Sequence, residues 1–390
     1  MEKTNPQNRL TEYIKREKWG LAVLVCALII FLAARTALSA GRQESSTGTD
    51  IAEYEKGTVT EILSDTSYSD ETSDGGWRGE QTLAVTVSSG RYSGESILVN
   101  NYIGPLYGVP LQEGDEAVLI INTYGDGSVR ATVYEYNRTG ALLAAVFAFV
   151  LITVLVGGKT GLKSLVSLAV TVAFLFMILI PWLLKGAPTL PAVFLSCLYI
   201  TAVSFVILGG LHRKTVCAMI ATAAGTAFAL LFAIAAQKLA RIDGLRIADV
   251  EPLLQMRQAG IPVGLRGLLS AGIMISALGA VMDVAMSISS SLEEVHAANP
   301  EMSAKQLFSS GMNIGADMVG TMTNTLILAF LGSGFTLILY LFSLGLNHYQ
   351  LFSSAYAAIE VISGIASSAG MILAIPVGAF VSALLLKKEK

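Results

Sequence analysis

Asp283 lies in the middle of the apolar stretch Gly267–Ser290, where an ionisable side chain is expensive and marks a functional position by default. Ser276, Gly279, Ser287, Ser290 and Glu294 stand at −7, −4, +4, +7 and +11 from it, offsets that fall on one helical face. No Lys or Arg occurs in that stretch to neutralise the acid. A lone carboxyl at that depth is suited to loading and releasing a proton or a cation, with hydroxyls beside it to solvate a passing ion. A second stripe follows at i, i+4, i+7/i+8 and i+11: Asn313, Asp317, Gly320 or Thr321, and Asn324. Glu360, Ser363, Gly364 and Ser367 make a third, with Gly370 and Pro376 able to loosen the helix behind it. Helix packing alone accounts for the hydroxyls and glycines of all three stripes, but not for the carboxyl of Asp283. Asp317, nearer a helix end, would also serve as a cap or a salt-bridge partner. Asp283, Asp317 and Asn324 are expected to face a shared polar cavity within the bundle.

Other chemistries find little support. The three cysteines, Cys26, Cys197 and Cys217, all lie in apolar runs and read as small hydrophobes; with three histidines they offer neither a disulfide framework nor a zinc site. No phosphate-binding glycine loop occurs, so the chain is not expected to hydrolyse ATP. An intramembrane aspartyl protease would need a Gly-x-Gly-Asp setting, which Asp317 lacks. Neither an enzyme nor a cofactor is expected. Against 29 acidic residues stand 26 basic ones, so no basic excess suggests nucleic acid.

The elements that carry these residues are apolar. Hydrophobic residues make up 53% of the 390 and charged ones only 14%, with mean hydropathy +0.61; soluble domains carry about 25% charge. The chain reads as an all-α membrane bundle of about eight transmembrane helices, at roughly 20 apolar residues per crossing. The spans are Trp19–Leu38, Ala141–Gly158, Leu162–Leu184, Leu190–Leu211, Thr215–Ala236, Gly267–Ser290, Met318–Leu344 and Ser367–Leu386. Residues 19–38 form an N-terminal anchor and 141–386 the bundle. Ala355–Leu386 is expected to begin as an interfacial helix. Pro300-Glu-Met-Ser-Ala-Lys-Gln-Leu-Phe starts a short amphipathic helix capped by Ser303 and laid on the inner membrane surface.

Basic residues orient the bundle with both termini cytoplasmic. The tail 1–18, the turns with Lys159/Lys163 and Arg213/Lys214, and the tail 387–390 fall on one side. Gln237–Arg266 then lies outside although it holds Lys238, Arg241, Arg246, Arg257 and Arg266, which leaves a re-entrant segment open there. A basic start, an apolar run and Ala37-Leu-Ser-Ala also fit a cleaved signal peptide; the length of the run favours a retained anchor, with Arg35 reaching the interface.

Ser39–Asn137 breaks the pattern, with sixteen acidic residues to five basic. Strand signals recur at Gly57–Leu63, Gln81–Ser88, Glu95–Asn100, Glu116–Asn122 and Val129–Tyr136, with a hairpin turn at Gly125-Asp-Gly. They describe a small extracytoplasmic antiparallel β-barrel or sandwich, residues 39–137, inserted between the first two helices. The acidic stretch Asp65–Glu80 has no EF-hand spacing and reads as a solvated loop rather than a calcium site.

Gly272–Val295 and Ser309-Ser-Gly-Met-Asn-Ile-Gly-Ala-Asp317-Met-Val-Gly-Thr-Met-Thr-Asn324 resemble the signature of the YibE/F family of bacterial membrane proteins. The resemblance implies a multi-pass protein of the bacterial plasma (inner) membrane. Met274-Ile-Ser-Ala-Leu-Gly-Ala-Val-Met-Asp283 is also similar to the Asp-bearing helix of SecD and SecF, accessory proteins akin to the proton-driven RND permeases. That likeness implies that Asp283 matches their proton-carrying Asp. Two extra spans and a different, smaller external domain are departures from it.

Two readings follow. The chain is a secondary transporter or export-assisting factor coupled to protons or cations, with Asp283, Asp317 and Asn324 carrying the coupling and Ser276, Ser287, Ser290, Asn313, Thr321 and Glu360 supporting them. Alternatively it is a non-transporting scaffold whose external β domain recruits a partner. Membrane lipid, an unidentified substrate, and a second copy or a paired membrane protein are the expected partners.

Overall fold

The computed structural model describes residues 51–124, 128–243, 245 and 250–387. The anchor at 19–38 with Cys26, the tail 1–18, the turn at 125–127 and residues 388–390 lie outside the described residues. The chain divides into two compact units, one within Gln43–Leu155 and one within Val156–Lys390.

The first unit is built on β1 (Ile51–Asp65), β2 (Tyr68–Asp70), β3 (Gly76–Val87), β4 (Ser96–Ile103), β5 (Glu116–Thr123) and β6 (Val129–Tyr136). Period-two alternation sets the faces: Leu83, Val85 and Val87 are buried, while Thr82, Ala84 and Thr86 between them are half-exposed. They pack with Val59, Val99, Leu111, Leu119 and Ile121 into one core. The first half of β1 pairs with β5 and its second half with β3. It changes partner at Gly57, where a Cβ would lie 2.5 Å from Val85 Cγ1. The five long strands close a ring in the order β1-β3-β4-β6-β5-β1, with β2 added beside β3. Numbered by chain order this ring runs 1-2-3-5-4-1, the connectivity of an OB-type Greek-key barrel. The purely antiparallel barrel expected from sequence is corrected in one place: β4 and β6 pair parallel, Val99 opposite Ala131. Once β6 has hairpinned off β5, the ring can close only on a strand that runs the same way. The stretch Asp65–Glu80, expected as a solvated loop, is instead a hairpin of β2 on β3.

The second unit is helical. Among the described residues six helical runs are long and apolar enough to cross a membrane. α1 (Thr139–Leu184) contains both the second and third expected spans. Its 46 residues would reach about 70 Å at 1.5 Å each, twice a hydrocarbon core. Gly158 breaks it with φ 54° and ψ −132°, a conformation open to glycine, where sequence places a turn. α2 (Thr189–Gly209), α3 (Arg213–Leu239), the short α4 (Val250–Gln258) and α5 (Leu268–Ala298) follow.

Two boundaries are corrected downstream. α6 (Ala304–Ser333) is one continuous helix, and α7 (Phe335–Ser343) is separate from it. The amphipathic surface helix at 300–308 is therefore the first turns of α6. Ser303 does cap it, in a reciprocal box with Gln306, but Leu307, Gly311 and Gly315 then form a buried stripe that carries the helix into the bundle. After α8 (His348–Ser353), α9 (Ala355–Lys387) runs unbroken.

α3, α5 and α9 pack on one another, α6 lies on α9 and α5, and α2 lies on α5 and α3. Small residues set the spacing: a Cβ on Gly311 would meet Leu292 and Ala379, and one on Gly315 would meet Ile288 and Ile375. These contacts, with Ser276 beside Ser367 and Ser289 beside Ser382, make α5 and α9 parallel and α6 antiparallel to both. One end of the bundle is tied by Lys214 and Glu293 at 2.7 Å, by Lys387 Nζ donating to Met302 O at 2.7 Å, and by Arg213 donating to Leu385 O. Arg213/Lys214 and the C-terminus thus share one end, and the segment carrying Lys238, Arg257 and Arg266 lies at the other.

Candidate functional site

α5 buries Val281, Val284, Ala285 and Ile288 and leaves Gly272, Ser276, Gly279, Asp283, Ser287 and Glu294 exposed, with Ser290 half-buried. On α6 the buried stripe through Gly311 and Gly315 is opposed by exposed Asn313, Asp317, Gly320, Thr321 and Asn324. The helical periods expected from sequence are therefore present. Their direction is not the expected one: among the described residues both stripes lie on the outer surface of the bundle rather than around a cavity inside it. The reason is packing. The residues at 180° to each stripe are the small and branched ones that interlock with α9 and α3.

The two stripes nevertheless fall at the same level. Gly315 against Ile288 and Gly311 against Leu292 fix an antiparallel register. Continued along both helices, it sets Asp283 beside Gly320, with Asp317 and Asn324 about one turn to either side. Among the described residues, Asp283, Asp317, Asn313 and Asn324 form no hydrogen bond or ion pair. Ser276 donates to Ile273 O at 3.0 Å and lies 3.4 Å from the Ser367 hydroxyl of α9, and Thr321 donates to Met318 O at 3.2 Å.

A cavity of about 300 Å³ flanks the α5 stripe on its other side. Hydroxyls line it, from Ser164, Ser167 and Thr171 of α1 and Ser196 and Ser204 of α2, together with Cys197, and Gly279, one turn before Asp283, borders it. Glu360 stands apart from both stripes, half-buried near Gly334 in a separate apolar cavity between α6, α7, α8 and α9.

Sequence reasoning missed the polar groups that are truly interior. Gln237 of α3 and Ser270 of α5 hydrogen-bond at 2.9 Å out of solvent. The hydroxyls of Thr222 and Thr226 are fully buried on α3 with no partner among the described residues. Their i, i+4 spacing was the available signal. Cys197 and Cys217 are buried free thiols, as their apolar settings imply.

In the barrel, Gln81 is the buried polar centre. Its amide donates to Asp65 and Leu111 O and accepts from Asn101 and the Leu111 N–H, at 2.8–3.1 Å. Asp70 accepts from Thr72, Ser73 and Arg78, and these donors hold its carboxyl far below the usual carboxylate range.

Fold and site together define a helical membrane protein that carries a small β-barrel ahead of its bundle and an unpaired acid on α5. The chain belongs to the YibE/F-like protein family, whose pattern it matches over residues 145–388. No curated protein and no solved structure matches it.

Proposed function

We propose that this chain is a multi-pass subunit of a bacterial inner-membrane transporter or export-assisting system, driven by protons or cations through Asp283, with both termini cytoplasmic and the barrel outside. The observation that carries this reading is the carboxyl of Asp283, unpartnered among the described residues, one turn from a hydroxyl-lined cavity and about one turn from both Asp317 and Asn324 on α6. An acid left facing lipid at mid-helix costs about 2.5–3.5 kcal/mol. The polar face of α5 and α6 therefore works covered, by a second copy or a paired membrane protein. In proteoliposomes loaded with a proton-sensitive dye, the wild type conducts and Asp283→Asn does not, at equal folding and insertion. Wild-type flux from that variant overturns the reading.

A second reading has its own support. β4 presents Leu98 and Tyr102 outward, opposite buried Val99, Asn101 and Ile103, an apolar pair on an OB-type barrel face. A scaffold that recruits a partner through this face would lose its phenotype on Leu98→Ser/Tyr102→Ser and keep it on Asp283→Asn.

A further inference from the structure

The cavity between the end of α6, α7, α8 and the start of α9 measures about 390 Å³, and among the described residues Glu360 is its one charged lining residue. Its other walls are apolar, with Phe330, Leu337, Phe342, Phe352 and Leu331 among them. A volume of that size is at the lower end for small-molecule sites and suits one hydrocarbon chain rather than two. Among the described residues Glu360 has no hydrogen bond and no ion pair. Its carboxyl rests where Gly334 lacks a side chain: a Cβ there would lie 3.3 Å from Glu360 Oε2. Gly334 is the junction of two helices, C-cap of α6 and N-cap of α7, with no side-chain cap on α7, so the carboxyl lies against exposed backbone where the two opposed helix ends meet. The parallel register of α5 and α9 sets Glu360 level with Leu269, at the beginning of α5 and thus towards one end of the bundle. A single acid set in an otherwise apolar chamber has the polarity of a site for an amphiphile, with its charged head at Glu360 and its chain against the apolar walls.

We infer that this cavity binds a single-chain amphiphilic amine, with Glu360 as counter-ion to the ammonium and the hydrocarbon chain lying against Phe330, Leu337 and Phe342. Charge complementarity selects the class: a carboxylate head is repelled by Glu360, and a neutral hydroxyl head forgoes the charge-assisted hydrogen bond. This assignment is independent of the role of Asp283.

The test is equilibrium binding of radiolabelled dodecylamine, dodecanol and dodecanoate to the full chain in phosphatidylcholine nanodiscs at neutral pH. The amine binds saturably, one per chain, about tenfold tighter than the alcohol, and the carboxylate shows no saturable binding. Glu360→Gln brings the amine down to the affinity of the alcohol, and Glu360→Asp keeps a preference for it. Leu331→Trp, at an exposed position on the cavity wall, fills the chamber and removes binding of both. Equal affinity for the three heads on the unaltered chain overturns the assignment without any variant, as does amine binding unchanged by Glu360→Gln.

Discussion

Gly225 of α3 and Gly370 of α9 meet backbone to backbone: a Cβ built on either would lie 2.7 Å from the carbonyl oxygen of the other. Ala229 and Ala374 close the same contact from above and below. Carbonyl oxygens cannot turn away as a flexible side chain can, so an added methyl must push two buried helices apart. Gly225→Ala and Gly370→Ala are each expected to cost about 1–3 kcal/mol of stability. The double variant should cost less than their sum, because the first displacement makes room for the second methyl. Thermal unfolding of the purified chain in detergent reads both effects. Additive losses would mean that the two glycines do not share a contact.

The strands of the barrel were legible because alternation of apolar and polar residues reports which face is buried. Alternation does not report which strand lies alongside, so the parallel β4–β6 pair was not. In the bundle the stripes through Asp283 and Asp317 were legible as helical periods, since spacing alone defines them. Their outward direction was not, because a face of serines, glycines and one acid reads the same whether it meets a cavity, another copy or water. The start of α6 was hidden for a related reason. Residues 304–317 include Lys305, Gln306, Asn313 and Asp317 and resemble a surface helix, and only the single stripe Leu307, Gly311, Gly315 reveals that this helix is packed. Gln237 and Ser270 escaped notice because each is one polar residue beside a loop rich in charge; their pairing is a property of the fold.

Gln81 joins Asn101 and Leu111 inside the barrel and reaches the exposed Asp65 at its edge. Gln81→Ala leaves the Leu111 N–H without its acceptor, takes from the Asn101 amide one of its two (Val109 O remains), and opens a void beside Leu83. The barrel is expected to lose roughly 3 kcal/mol, the sum of an orphaned buried donor and a small cavity. Hydrogen exchange of the β3 amides in the full chain should accelerate accordingly, while α5 and α9 keep their protection. Unchanged exchange at Leu83 and Val85 would show that the network is dispensable.

Asp70 and Asp65 give the β2–β3 hairpin a defined acid response. Thr72, Arg78 and Ser73 donate to Asp70, and Ser67 and Gln81 to Asp65, so both carboxyls are held below their ordinary range when folded. A depressed folded value contributes stability that is complete above the unfolded pKa, about 3.9, and is lost as pH falls through the folded one. Limited proteolysis at 66–80 should therefore stay slow from neutral pH down to about 4 and quicken only below it. Asp70→Asn should be cleaved faster at neutral pH and show a shallower rise in acid. An onset of cleavage near pH 6 would contradict the assignment.

Ser287 stands one turn beyond Asp283 on the exposed face of α5, and Asn324 stands about one turn beyond Asp283 along the register on α6. Leu231 is equally exposed on α3, away from both. If a second copy covers the polar face, Ser287→Cys and Asn324→Cys should each cross-link to the same position of another chain in native membranes, and Leu231→Cys should not. Cys26, Cys197 and Cys217 are replaced by Ala in all three, so that only the introduced thiol reports. Cross-linking from the polar face alone places a copy over Asp283 and accounts for an acid that no described residue of its own chain neutralises. Equal cross-linking from Leu231 means random collision, and the cover is then absent. Absence of any dimer assigns the cover to a different membrane protein, in which case the purified chain alone should be silent in proton flux and should regain it only when that protein is restored.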